Sequence, residues 1–75
     1  GEWQPSDKCS SPGNAAGTLE LLYVQCSTLT LGVKESLVQV ITGYSGTARA
    51  DVPHYYENQS ESILKFIMTV NEKAS

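Results

Sequence analysis

The sequence predicts a small, mainly β domain: an antiparallel sheet or sandwich of four to five strands behind an irregular N-terminal arm. An α+β arrangement is the alternative if the last segment is helical. Three observations lead there. Residues that favour strands cluster in short runs bounded by Gly, Ser and Pro. Several runs are apolar on both faces, the mark of strands that are covered on both sides. No segment before the last shows an amphipathic helical stripe. At 75 residues the chain is read as one domain, residues 1–75, with the arm at 1–17 and a β-rich core at 18–75.

The arm, Gly1 to Gly17, carries the turn formers Pro5-Ser6-Asp7 and Ser10-Ser11-Pro12-Gly13-Asn14, and neither strand nor helix period survives in it. Trp3 is then either a lid on a core edge or an exposed binding aromatic. From Thr18 the character changes. Thr18–Cys26 is rich in β-formers and reads as a strand. Thr28–Val33 alternates, with Leu29, Leu31 and Val33 on one face and the threonines on the other. Lys34-Glu35-Ser36 is a polar hairpin loop leading into a third β-rich run, Leu37–Tyr44, which the Gly43–Gly46 turn ends. Arg49–Ser60 contains Pro53, His54 and the Tyr55-Tyr56 pair in a polar setting, which reads as a long surface loop. In Glu61–Glu72, Ile63, Phe66, Ile67 and Val70 fit a helical stripe, whereas Leu64, Phe66, Met68 and Val70 fit one face of a strand; strand is favoured by the β-branched content. With apolar residues on both faces of three runs, either two short sheets cover each other or a partner chain or second copy covers the sheet.

A core this small invites a staple. Cys9 and Cys26 are the only cysteines, and a disulfide between them closes a loop of about 17 residues, contributing roughly 3 kcal/mol in the chain-entropy model. That bridge would tie the arm to the first strand. A structural disulfide implies an oxidising compartment, and the Asn58-Gln59-Ser60 sequon and the lack of an initiator Met agree, so the chain is expected to be a secreted, processed product. Eight acidic and five basic residues give a net charge of −3, with the bases Lys8, Lys34, Arg49, Lys65 and Lys73 scattered. No basic face is formed, so no nucleic acid is expected as partner. The longest apolar run, Leu21–Val24, is too short for a membrane span.

Chemistry is sparse. Two cysteines and one histidine cannot close a four-ligand zinc site, Asp51, Glu57 and Asn58 lack the spacing of a calcium loop, and no glycine pattern cradles a phosphate. No metal, cofactor or catalytic residue is assigned. The suggestive cluster is Tyr44, Arg49, Tyr55, Tyr56 and Asn58, with Asp51, Glu57 and Gln59 around it, residue types that anchor a protein or a glycan. Cys26-Ser-Thr-Leu-Thr-Leu followed by Val38-Gln-Val-Ile-Thr-Gly-Tyr44 resembles the opening of galactose- and rhamnose-binding lectin domains over about twenty residues. The family's other cysteines are missing, and Tyr44-Ser45-Gly46 stands where that family has Tyr-Gly-Arg. In its shortness and β content the chain is also similar to small secreted fungal effectors and killer toxins. The reading is a secreted, non-enzymatic protein that binds a protein or glycan target, as an effector, toxin subunit or inhibitor. A lectin-like module and a small hydrolase using His54 are the alternatives.

Overall fold

The computed structural model describes residues 1–13 and 16–71. Asn14, Glu72 and Lys73, which entered the reading of the arm, the last segment and the charge pattern, lie outside them. Eight strands and no helix are present among the described residues: β1 Glu2–Trp3, β2 Lys8–Ser11, β3 Leu19–Cys26, β4 Thr28–Val33, β5 Ser36–Ile41, β6 Ser45–Arg49, β7 His54–Glu57 and β8 Leu64–Asn71. They form two antiparallel sheets, in the orders β1-β8-β3-β6 and β2-β7-β4-β5. Successive strands thus swap sheets at most connections, and each sheet interleaves the two ends of the chain. This is the jelly-roll order, in which two four-stranded sheets face each other across one core.

The alternation read in Thr28–Val33 is β4, its buried Leu29 paired with the buried Val40 and its buried Leu31 with the exposed Val38. The last segment is strand, with Leu64, Phe66 and Met68 turned inward. Its register against β3 is set over seven pairs, from Leu19–Asn71 to Cys26–Lys65, with a bulge between Val24 and Cys26. Ser27, at φ 75°, follows that bulge and turns the chain from one sheet to the other. Gly43 makes a further sheet-to-sheet corner at φ 85°, a conformation that glycine adopts without strain.

Two expectations are corrected. The arm is not irregular: β1 pairs with β8 (Glu2–Lys65, Trp3–Leu64) and β2 with β7 (Lys8–Glu57 to Ser11–His54). The stretch 49–60 is not all loop, because His54–Glu57 is the central strand β7, flanked by β2 and β4. Both strands are short and polar on their outer sides, so their local pattern is that of loop. Long-range pairing, not propensity, makes them strands.

Leu22, Val24, Ala48, Leu64 and Phe66 from the first sheet meet Leu29, Leu31, Val40 and Tyr56 from the second. Trp3 packs its ring edge against Phe66, with centroids 5.1 Å apart. Each fully buried Leu or Phe side chain contributes about 1.5–3 kcal/mol of apolar burial. The second face of the apolar runs is not covered by the sandwich: Leu21, Tyr23 and Ile67 on one sheet and Leu37 and Ile41 on the other remain exposed. On the outside of the second sheet, Gly32 lies beneath the Tyr55 ring, where an added Cβ would come within 2.1 Å of it. Glycine is required there by the ring's close approach.

Candidate functional site

Between the sheets lies a cavity of about 290 Å³, lined by Trp3, Cys9, Ser11, Glu20, His54, Tyr56, Met68 and Val70. Strand alternation builds it. Glu20 shares the inward face of β3 with Leu22 and Val24, and it is buried. His54 and Tyr56 share the inward face of β7, opposite Ser11 and Cys9 of β2. Most of the lining is apolar, so the carboxylate and imidazole are its chemically distinctive groups.

Those groups form one connected set. Tyr56 Oη donates to Glu20 Oε1, and His54 Nε2 lies 3.1 Å from the same oxygen. His54 Nδ1 is 2.7 Å from the Val52 carbonyl, which only accepts, so Nδ1 carries a proton. His54 and Tyr56 also meet edge to face, with centroids 5.5 Å apart. Burial first, and then the bond and charge of Glu20, push the Tyr56 phenol well above its ordinary range. Among the described residues no group of three or more His, Cys, Asp or Glu side chains is placed to hold a metal ion.

The residues singled out in the sequence are dispersed. Tyr44 is exposed in the β5–β6 turn. Tyr55 and Tyr56, adjacent on β7, point to opposite faces: Tyr56 into the cavity, and Tyr55 outward, where Lys8 Nζ sits 4.3 Å from its ring centroid. Tyr55 and Lys34 border a separate outer groove, which touches the cavity wall only at Ser11 and His54. Asn58 is wholly buried. Its Nδ2 donates to the Trp3 and Ser62 carbonyls at 3.1 and 2.9 Å, and its Oδ1 accepts from Ser60 N and Oγ at 3.0 and 2.6 Å. Its carboxamide is therefore closed to a glycan or ligand. Of the five binding candidates, only Tyr56 faces the cavity. Glu20 was not picked out as a site residue, Trp3 was read as either a core lid or a binding aromatic, and Cys9 was read only as a disulfide partner. The available signal was Glu20, a carboxylate in step with Leu22 and Val24 on a strand face that is otherwise core.

Arg49 lies outside the cavity lining and is bound to Asp51. Its Nε and Nη2 donate to Asp51 Oδ1 and Oδ2 at 3.0 and 3.1 Å, and Asp51 Oδ2 also accepts from Gly17 N at 3.0 Å. The Arg49 bond, followed by the Gly17 bond, holds the Asp51 carboxyl at about 2, below its ordinary 3.8. Because the folded value is depressed, this contribution to stability is present above the ordinary value and is lost as pH falls through about 2. Carbon-detected NMR titration should give the Asp51 carboxyl a midpoint near 2. Arg49→Ala should move that midpoint up toward the ordinary value, and an unchanged midpoint in the variant would refute the assignment.

The cysteines correct the largest structural expectation. Cys9 on β2 and Cys26 at the end of β3 belong to different sheets, and both are free and exposed. No disulfide holds the arm; its hold is the pairing of β1 and β2 and the Asn58 hydrogen bonds.

At the level of sequence, no protein-family model and no curated protein matches the chain. Solved structures do. A Cupin_2 domain of an XRE-family transcriptional regulator from Enterobacter cloacae superposes with TM-score 0.88 at 19% identity, over 97% of this chain and 77% of that one. The chain shares its fold with that domain. An HTH_3-family transcriptional regulator from Vibrio cholerae matches this chain with TM-score 0.88 and 19% identity, over 97% of it and 40% of the regulator. TT1209 from Thermus thermophilus matches with TM-score 0.75 and 20% identity, over 92% of this chain and 64% of that one. The chain thus spans less than half the length of the Vibrio regulator.

These likenesses establish the fold, and with the unpaired cysteines they correct the functional reading. A fold shared with transcriptional regulators and an absent bridge overturn the secreted effector, toxin-subunit or inhibitor, together with its extracellular address. The lectin-like alternative loses its surface, since the three tyrosines do not converge. Both ring nitrogens of His54, the base named in the hydrolase alternative, are engaged, by Val52 and by Glu20. The exclusion of nucleic acid as a partner, drawn from scattered bases, is likewise withdrawn: two of these neighbours are transcriptional regulators. Among the described residues no helix is long and apolar enough to cross a membrane.

Proposed function

We propose that the chain is the ligand-sensing domain of an intracellular transcriptional regulator, binding a small molecule in the cavity between its sheets without catalysing a reaction on it. The observation that carries this reading is the buried Glu20–His54–Tyr56 set on the wall of an apolar cavity. A buried ionisable pair is a poor device for stability, because apolar residues of the same volume serve as well or better. In a concave, mostly apolar site, a few convergent polar groups are what orient a ligand. The cupin architecture shared with two transcriptional regulators supports the regulatory role. In this reading nucleic acid is a partner of the whole regulator, and occupancy of the cavity modulates that contact.

Thermal unfolding against a library of small metabolites tests the proposal. At a hundredfold excess over Kd, a cavity ligand stabilises by about 2.7 kcal/mol, which for a domain of this size raises Tm by roughly 10–20 °C. Val70, half-exposed at the cavity, is the position to block: Val70→Trp should abolish the rise and leave the unliganded Tm nearly unchanged. The reading is wrong if no compound stabilises the protein, or if those that do act equally on Val70→Trp.

A further inference from the structure

We propose that the cavity selects an uncharged ligand, a primary carboxamide or a hydroxyl on a short apolar body, and discriminates against charged analogues of the same shape. The inference rests on the ligand-sensing reading and names the ligand class. Volume sets the size: at about 30 Å³ per heavy atom, the share a water molecule takes in the liquid, a cavity of about 290 Å³ admits roughly ten. Trp3, Met68 and Val70 supply apolar wall for the body of such a molecule.

The charge of the lining argues against either sign. His54 Nδ1 faces the Val52 carbonyl 2.7 Å away and so carries a proton. Nε2 lies 3.1 Å from Glu20 Oε1, and a bare nitrogen against an ionised carboxylate there would set two lone pairs against each other. A second proton therefore lies between Nε2 and Oε1, bonded to one or the other, and Glu20 and His54 together are neutral. It stays in place when a ligand enters, because the two atoms keep each other as partners. No lysine or arginine lines the cavity, and Glu20 is its one carboxylate. Positive groups on neighbouring segments are committed elsewhere: the N-terminal ammonium donates to the Phe66 carbonyl at 2.6 Å, Arg49 to Asp51, and Lys8 lies over the outward Tyr55 ring. A charged head group thus gives up water and meets no opposite net charge.

Hydrogen bonding selects among neutral groups. Tyr56 Oη and His54 Nε2 both meet Glu20 Oε1, so Oε2 is the oxygen left for a ligand, and it accepts. Ser11, paired with His54 across β2 and β7, takes the Gly13 N–H on its Oγ at 3.2 Å, which leaves its own hydroxyl proton to donate. The lining therefore offers one acceptor from β3 and one donor from β2. A carboxamide or a hydroxyl answers both. An ammonium only donates and a carboxylate only accepts, so each leaves one of the two unanswered.

Benzamide, benzylamine and benzoate share one ring and differ in head group, and Trp3, the only tryptophan, reports cavity occupancy by fluorescence. Benzamide should bind at least about tenfold more tightly than either charged analogue, the margin set by one unanswered hydrogen bond. Calorimetry in two buffers of different ionisation enthalpy should show no net proton exchanged with benzamide. Ser11→Ala should weaken benzamide by about threefold to tenfold and leave benzylamine unchanged, since an ammonium takes nothing from a hydroxyl donor. If that variant does not fold, the three-probe comparison and the proton count on the unmodified protein decide the matter. Equal or tighter binding of benzoate or benzylamine, proton exchange with benzamide, or an unchanged benzamide affinity in folded Ser11→Ala overturns the uncharged-ligand proposal and leaves the ligand-sensing reading standing. If no probe perturbs Trp3, the uncharged-ligand proposal falls, while the metabolite screen decides the ligand-sensing reading separately.

Discussion

Replacing Glu20 with alanine should destabilise the domain by roughly 3–5 kcal/mol, the usual cost of removing one partner from a buried charged pair. The side chain sits inside the sandwich, and its loss strands the Tyr56 hydroxyl and leaves His54 Nε2 without its acceptor. At about 4–8 °C per kcal/mol for a domain of this size, Tm should fall by at least roughly 12 °C. Glu20→Gln keeps an oxygen for Tyr56 and should cost roughly 1–2 kcal/mol. Tyr56→Phe keeps the ring packing of a residue only 4% exposed and should cost a similar amount. Urea unfolding of the two single variants and of Glu20→Ala/Tyr56→Phe should reveal a coupling of about 0.5–3 kcal/mol with unchanged m. Strict additivity would mean that the two side chains do not share a bond.

The second strong effect is expected far from the cavity chemistry. Asn58 uses both amide hydrogens and accepts two hydrogen bonds, to and from Trp3, Ser62 and Ser60. Its backbone is clamped as well, its N–H donating to the Asp7 carbonyl at 2.9 Å and its carbonyl accepting from Ser6 N at 2.8 Å. Asn58→Ala should cost roughly 3–4 kcal/mol, since several buried or half-buried polar groups lose their partner at once. Asn58→Asp should cost more at neutral pH, because a carboxylate would face two carbonyl oxygens. The gap between the two variants should narrow at acid pH, where the carboxyl regains a proton. Amide exchange should show β1 opening first, as the Trp3 carbonyl is one of the released partners. If Asn58→Asp is no worse than Asn58→Ala at neutral pH, the assigned amide orientation is wrong.

Much of the strand pattern was legible along the chain, and most of the site was not. Leu29, Leu31 and Val33 mark β4 through their spacing alone. The run from Leu19 to Val24 marks β3, although its apolar outer residues suggested a cover that the sandwich does not supply. Residues 8–11 and 54–57 read as loop because four polar residues with serine, proline or tyrosine nearby carry no periodic signal. They are strands because β7 finds β2 on one side and β4 on the other. Asn58 read as an exposed sequon because its three-residue pattern is blind to burial. The cysteine spacing suited a bridge, yet spacing says nothing of which sheet each residue joins.

Alternation of side chains along a strand is a property of a few consecutive residues, so the β class and the inward faces of β3, β4 and β8 follow from the order of amino acids. Pairing is a property of the whole chain. Glu20 and Tyr56 lie 36 residues apart, and they meet because the jelly-roll order sets the inner face of β3 against that of β7. No local preference encodes that meeting. The closure of eight strands into two facing sheets creates the cavity, buries Glu20 and His54 together, and leaves Cys9 and Cys26 on different sheets.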